Sequence, residues 1–331
     1  MRIIFDLRRV GLGNNGGSST LVKSGNTLVD MGHEVIFVDS VRNQHKWTPL
    51  KARHMIRRDN NNLPTADVII ASGYKSVSRT MQAPSRCGIK AHWIRAWEYW
   101  QYSEKDIVDK VLKPDTVKLV NSICLQDKLK KHGVDSHIIR PGYDFDQIYP
   151  IPNLRRKGRI VIGGLYRAGT HGRRKRTQWL FEAAKHLKER YSNIEFWLFG
   201  SEVDPGDSII DIYLRSPSME DKNKFYNSVD IWMAPTQSEG LHLPPAEAMM
   251  TGCPVVSTSA ELSGTQDYVI DGVTGIVSKN DILSFVRSIT VLISNKKMRH
   301  IMGKSCIKKI HELGNRQVNM QKLVDLFEGL K

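Results

Sequence analysis

Gln237-Ser238-Glu239-Gly240-Leu241-His242-Leu243-Pro244-Pro245-Ala246-Glu247-Ala248-Met249-Met250 is the stretch on which the reading of this chain turns. Two carboxylates, Glu239 and Glu247, stand either side of seven residues. Pro244 and Pro245 suit a first helical turn, where a missing N–H costs nothing, and Gly252 followed by Pro254 ends the helix, so it is short. The unpaired N–H groups and positive dipole end of such a helix suit an anionic group such as a phosphate. Glu239 falls in the turn before the helix and Glu247 within its first turns, so the two acids can grip different parts of one ligand. Carboxylates accept paired hydrogen bonds from vicinal hydroxyls, and the combination reads as phosphate plus sugar. The plain alternative is a helix with solvated acids.

Outward from this motif, apolar strands alternate with helices. Arg2 to Leu7 reads as a strand, Gly11-Leu12-Gly13-Asn14-Asn15-Gly16-Gly17 as a glycine-rich loop, and about Ser18 to Gly32 as a helix. Further strands are expected at Glu34–Val38, Asp67–Ala71, Ala91–Ile94 and Val117–Val120. The pattern restarts with strands at Arg159–Gly164 and Ile194–Gly200, helices around Gln178–Glu189 and Met219–Asn227, and a strand at Asp230–Met233. From Arg316, Val318, Leu323, Val324 and Phe327 fall near helical spacing. Such alternation implies an α/β fold of parallel sheets covered by helices on both faces.

At 331 residues the chain is long enough for two domains, and 40% hydrophobic with 25% charged residues is a globular composition. No apolar run approaches the ~20 residues that span a bilayer. Met1-Arg2-Ile3-Ile4-Phe5 is interrupted by Asp6, Arg8 and Arg9, which reads as a first strand and not a signal peptide. Cys87, Cys124, Cys253 and Cys306 form no C-x-x-C pair, which suits a reduced, cytoplasmic setting and excludes a structural zinc site. The net charge is +15, and residues 1–150 contribute 23 basic against 15 acidic side chains, so the excess is spread over both halves. A field of this sign attracts polyanions: nucleotide donors, nucleic acid or an anionic membrane face. Solubility alone is the simpler explanation.

Residues 229–277, from Val229-Asp230-Ile231 through Pro254-Val255-Val256 to Asp271-Gly272-Val273-Thr274-Gly275-Ile276-Val277, resemble the donor half of GT-B glycosyltransferases, and most closely the large retaining family with the paired-glutamate signature. The resemblance implies two Rossmann-like doubly wound domains facing a cleft. It implies an acceptor-side domain at 1–140, a linker at 141–158 around Arg140-Pro141-Gly142, a nucleotide-sugar domain at 159–312, and a last helix, 313–331, packed back on the first domain. Glu239 would contact the donor sugar, Glu247 the nucleotide ribose, and the Gly240 and Leu241 amides the sugar or diphosphate. Relatives place a lysine on the diphosphate where Lys175 stands. Their arginine falls at Gly164 in this chain, so Arg167 or Arg173 would substitute. Gly16 and Gly17 would approach the donor diphosphate or the acceptor. Cations beside a leaving diphosphate lower the barrier, and the expectation is a UDP-linked sugar with no cofactor and no metal. Asp144-Phe145-Asp146 mimics a metal motif but lies in the expected linker between two prolines.

Several readings stay open. His92 is a candidate for touching the donor sugar or for packed core. Trp97, Glu98, Tyr99 and Trp100 stand on the acceptor side as a stacking platform or as core. Arg57 and Arg58 close the basic stretch from Lys46 and Trp47, which suits a nucleic-acid backbone, an anionic membrane or a solvated loop. The charge favours a DNA acceptor narrowly over a membrane-associated glycan, as in viral enzymes that glycosylate hydroxymethylated bases, where a base would be flipped out. In that case the setting is a host cytoplasm; the glycan alternative suits a peripheral membrane site. Gly11-x-Gly13-x-x-Gly16 with Asp39 also satisfies the dinucleotide fingerprint of an NAD-dependent oxidoreductase, although Arg8, Arg9 and Val10 separate strand from glycine. A catalytically silent nucleic-acid-binding protein is the remaining class.

Overall fold

The computed structural model describes residues 1–13, 15–41, 48–99 and 102–331, and divides into two compact units. In chain order the first unit contains β1 (Arg2–Asp6), α1 (Gly16–Asp30), β2 (Glu34–Asp39), β3 (Arg53–Ile56), β4 (Val68–Ala71), α2 (Tyr74–Met81), β5 (Ile89–Ile94), α3 (Glu104–Ile107), β6 (Val117–Val120), α4 (Ile123–Lys130) and β7 (His137–Ile138). Its seven strands lie in the order β3-β2-β1-β4-β5-β6-β7, all parallel. Successive side chains of a strand point to opposite faces. Ile3 and Phe5 thus join one buried cluster with Val35, Phe37, Val68 and Ile70, while Ile4 joins Ile36, Val38 and Ile69 on the other. A sheet covered on both faces explains the unbroken apolar runs Ile3–Phe5, Val35–Val38 and Val68–Ala71, which do not alternate.

The second unit contains β8 (Ile160–Leu165), α5 (Gly169–Lys175), α6 (Thr177–Lys188), β9 (Ile194–Gly200), β10 (Ile212–Arg215), α7 (Met219–Ser228), β11 (Ile231–Ala234), α8 (Leu243–Met250), β12 (Val255–Thr258), β13 (Gly275–Ser278), α9 (Ile282–Ser294) and α10 (Lys296–Leu313). Its sheet runs β10-β9-β8-β11-β12-β13, again all parallel. Val161, Phe199, Trp232 and Val255 face one buried cluster, and Ile162, Phe196, Met233 and Val256 the other.

The last helix, α11 (Arg316–Gly329), belongs to the first unit, which comprises Met1–Gly142 and Gly314–Lys331. Met320, Leu323, Val324 and Phe327 are buried with Phe5 and Trp93. Gly142 (φ +76°) lies so close to this segment that a Cβ would stand 2.4 Å from Arg316 Cα. Residues 143–158, read from the sequence as linker, pack as part of the second unit. Tyr143 and Ile148 join its core, and the Tyr149 and Ile151 amides donate to Asn223 Oδ1 (3.1 Å) and Asn227 Oδ1 (2.6 Å).

Two segments to which the sequence assigned no strand or helix are ordered elements. Arg53–Ile56 is the edge strand β3 beside β2, and Gly169–Lys175 is a short helix ended by Arg176 in the left-handed region (φ +51°). Among the described residues no helix is long and apolar enough to cross a membrane.

Candidate active site

In an open parallel sheet, ligands favour the crevice at the carboxyl ends of the strands where the strand order reverses. In the second unit that point lies between β8 and β11. The segment after β8 carries α5 and Lys175; the segment after β11 carries Glu239 and α8. These two segments are tied together: Lys175 Nζ pairs with Glu239 Oε1 at 2.5 Å, and the Gln237 amide donates to the Arg174 carbonyl at 2.9 Å. The lysine and glutamate side chains retain 17% and 26% exposure, which shelters the pair but leaves it reachable.

The turn from Glu239 to His242 is set by a second loop. The Glu239 amide donates to Leu262 O (2.7 Å) and the His242 amide to Gly264 O (3.0 Å). Gly264 has φ +70°, and a Cβ there would stand 2.8 Å from Glu239 Cβ. His242, which caps α8, is fully buried; burial holds its imidazole well below the usual range, so the ring is neutral. Its Nδ1 lies 3.2 Å from Thr236 Oγ1, and its carbonyl accepts from the Tyr268 hydroxyl. Pro244 and Pro245 occupy the first turn of α8 and remove two of its N–H donors, so its start is a weaker amide cradle than its helical character suggests. The Leu241 amide has no partner among the described residues.

Glu247 lies in the second turn of α8, partly exposed, and accepts a 2.6 Å hydrogen bond from the fully buried hydroxyl of Tyr226 on α7. Burial, with Glu247 beside it, raises the Tyr226 hydroxyl well above its ordinary value, so it remains a donor. Tyr226, Gly264 and Thr236 escaped the sequence reading because each lies far along the chain from the motif or carries no periodic signal. His242 was in view within it, yet no role suggested itself.

Gly164 lies inside β8, where a Cβ would meet Leu198 and Leu180 of the core, so this position offers no place for a cation. Arg167 follows β8 but pairs with Glu202 (3.0 Å) and donates to Ser201 Oγ (2.6 Å). Arg173 is exposed on α5 and, with Arg167 and Arg176, lines a cavity of 620 Å³ over the start of α6. Asp144-Phe145-Asp146 forms a turn in which Phe145 stacks on His311 with ring centroids 4.1 Å apart. Among the described residues no group of three or more His, Cys, Asp or Glu is gathered as a metal site.

The first-unit candidates fare differently. His92 is fully buried on β5, burial and the nearby Lys118 and Arg95 cations push its pKa down to about 3, and neither ring nitrogen has a partner among the described residues. This is a packed histidine with no surface open to solvent. Trp97 is 3% exposed, stacked on His132 with its Nε1 donating to Glu104 (3.2 Å), so it presents no open face. Glu98 accepts the Tyr74 N–H at the start of α2, and burial raises its pKa. Arg57 donates to the carbonyls of Asn62 and Ile56, bracing its own loop, whereas Arg58 is exposed. Gly16 and Gly17 form the first turn of α1, capped by Asn15, with Arg95 donating to the Gly17 carbonyl. A turn closed by the Val10 and Gly11 amides on Leu7 O separates β1 from the glycines, unlike a dinucleotide fingerprint. Asp39 is buried, its Oδ1 accepting the Ser40 amide at 2.7 Å. Trp100, Lys46 and Trp47 lie outside the described residues.

Residues 160–295 match the family model described as glycosyl transferases group 1. A capsular polysaccharide biosynthesis glycosyltransferase, CapM, from Staphylococcus aureus is 28% identical over 160 residues, 45% of this chain and 41% of that protein, so the match spans less than half of the relative's length. Sucrose-phosphate synthase from Thermosynechococcus elongatus superposes with a TM-score of 0.77 at 15% identity, covering 100% of this chain and 99% of that one. The Anabaena protein HepE, solved with UDP and glucose, gives 0.76 at 14% identity over 99% and 100%. These likenesses establish the GT-B fold for the two parallel-sheet units and support the glycosyl transferases group 1 family, through a match confined to residues 160–295.

Proposed function

We propose that the chain transfers a sugar from a nucleoside diphosphate sugar to a hydroxyl, with the donor seated at the β8–β11 switch point of the second unit. The observation that carries this reading is the pairing of two differently held glutamates around the start of α8: Glu239 against Lys175, Glu247 against the Tyr226 hydroxyl. In the proposed mechanism Glu239 holds sugar hydroxyls and Glu247 the ribose. Lys175 and the exposed Arg173, with the Gly240 and Leu241 amides, meet the diphosphate as negative charge gathers on it. Arg167, engaged by Glu202, orients that loop. The leaving phosphate oxygen takes the acceptor's proton as the new glycosidic bond forms.

The UDP and glucose of the Anabaena structure support a uridine diphosphate sugar as donor. The capsular polysaccharide role of the Staphylococcus relative supports a glycan hydroxyl as acceptor, and burial of Trp97 takes away one of the aromatic faces on which a flipped DNA base would stack. Retention of anomeric configuration and turnover without a divalent metal belong to the same proposal.

A panel of nucleotide sugars, offered with glycan acceptors and with hydroxymethylated DNA, tests it. Proton NMR of the product reads the anomer, and chelator-treated enzyme reads the metal requirement. Glu247→Ala is expected to raise the donor KM steeply, and Glu239→Ala to lower kcat. Unchanged kinetics in both variants would refute the assignment.

A further inference from the structure

The first unit has its own switch point, between β1 and β4, and the carboxyl ends of β1, β3 and β4 gather around it. There the residues after β1, the residues after β3 and one face of α2 enclose a pocket of 460 Å³. Its lining carries five cations: Arg8, which Asp6 neutralises, and Arg9, Arg58, Lys75 and Arg79, beside a single exposed carboxylate, Asp59. Lys75, Ser78, Arg79 and Gln82 fall at helical spacing, so α2 turns a whole polar stripe toward this recess. The side chains of Arg9, Arg58 and Lys75 have no ion-pair or hydrogen-bond partner among the described residues.

The pocket is built into the fold. Arg8, fully buried and paired with Asp6 through two hydrogen bonds (2.8 and 2.6 Å), also donates to Asp59 O (3.0 Å) and Asn60 Oδ1 (2.6 Å). Asn60 in turn donates to the Arg79 carbonyl (3.2 Å), and Arg79 to the Arg58 carbonyl. One buried guanidinium therefore fixes the β1 turn and the loop after β3, and that loop is laced to α2. The next residue, Arg9, is held at φ +70°, a conformation uncommon for a side chain other than glycine, in a turn closed by the Val10 and Gly11 amides. Backbone strain of this kind persists where the surroundings enforce it, and it is a reason to ask what the residue does.

We propose that this pocket binds a phosphoryl group carried by the acceptor, which deepens the glycosyl-transfer reading and rests on it for the word acceptor. Converging guanidinium and ammonium donors match the tetrahedral oxygens of a phosphate monoester. Its volume lies within the range of small-molecule sites. A recess with cations around it suits a terminal phosphate, whereas a duplex offers its phosphates along a convex ridge and is met by a stripe of cations. The phosphate's source is either a soluble phosphorylated sugar or a lipid headgroup.

The test titrates the full chain with inorganic phosphate, with glycerol phosphate, with phosphatidylcholine vesicles containing or lacking phosphatidic acid, and with duplex DNA. The arms are repeated on Arg58→Gln/Lys75→Gln, and on Lys304→Gln/Lys308→Gln, which removes equal charge from exposed sites on α10. We expect wild type to bind phosphate and glycerol phosphate, the pocket variant to lose about tenfold or more in affinity, as two charge-assisted contacts imply, and the α10 variant to lose nothing. Dependence of phosphatidic acid vesicle binding on the same two residues identifies a headgroup as the source; its absence identifies a soluble one. Equal phosphate affinity in wild type and pocket variant overturns the proposal, as does DNA binding that needs Arg58 and Lys75 while phosphate is ignored. UDP binding is measured alongside. Its absence from wild type defeats the donor reading while the phosphate titration still judges the pocket.

Discussion

Gly264 offers the sharpest perturbation of the site, because its cost divides into two parts that a matched control separates. Gly264 and Gly272 share a left-handed backbone, φ +70° and +72°, but a Cβ at Gly272 has nothing within 4 Å, while one at Gly264 would lie 2.8 Å from Glu239 Cβ and 3.0 Å from the His242 nitrogen. Alanine at either position bears the left-handed penalty, about 1–2 kcal/mol. Carbon atoms rest about 3.5–4.0 Å apart, so the new methyl at 264 must also displace the Glu239 turn by several tenths of an ångström or more. Relieving such overpacking costs typically 1–3 kcal/mol, for a total of about 2–5 kcal/mol. The displaced residue is the one proposed to hold the sugar, and a misplacement near 1 Å can cost about a hundredfold in rate. Urea unfolding is therefore expected to show Gly264→Ala less stable than Gly272→Ala by about 1–3 kcal/mol. Donor turnover should fall about 10- to 100-fold in the first and stay near wild type in the second. Equal stability together with equal turnover would show that the 262–264 loop does not position Glu239.

Tyr226→Phe removes the hydrogen bond to Glu247 without leaving a buried donor. Because Glu247 is partly exposed and can be rehydrated, the expected loss is about 1–1.5 kcal/mol in urea unfolding, with a several-fold rise in donor KM; an unchanged KM would separate Tyr226 from the ligand. His92, with its folded pKa pushed down to about 3, stays neutral while the unfolded chain takes up a proton below about 6.5. Its contribution is present in full above that pH and is lost as the pH falls toward 3, at about 1 kcal/mol per unit, so His92→Leu should flatten unfolding free energies measured between pH 6.5 and 5. Arg8→Met leaves the Asp6 carboxylate buried without its counter-charge, with only the residue-8 amide (3.1 Å) and the Thr80 hydroxyl (3.0 Å) donating to it, and is expected to cost about 3–5 kcal/mol; a loss near zero would mean that the pair is not closed in solution.

Much of the architecture was visible in the chain because buried parallel strands such as Ile160–Leu165 are continuously apolar, and that signal survives without any partner in view. Edge strand β3, Arg53–Ile56, carries only a half-apolar sequence since one side of it lacks a neighbour, and it passed as part of a basic stretch with no strand assigned. Helix α5, Gly-Thr-His-Gly-Arg-Arg-Lys, buries little beyond Gly172, so it has no periodic stripe to find. The paired glutamates were legible because proline, glycine and acid fall at fixed offsets in one short stretch. What holds them was not: the Tyr226–Glu247 bond and the Gly264 contact join residues brought together only by the sheet. Conversely, Trp97 and His92 looked chemically expressive in sequence and are packing residues in the fold.

The first unit's interior is assembled from two pieces of chain with the whole of residues 143–313 between them. During synthesis, Met1–Gly142 emerges from the ribosome with the trough that α11 fills still open, so the cluster holding Phe5 and Trp93 lacks the Met320, Leu323, Val324 and Phe327 that later complete it. The second unit can complete its own folding while the first waits. A nascent chain paused before Arg316 would therefore be half native and half adhesive, and chaperone dependence should be confined to that interval.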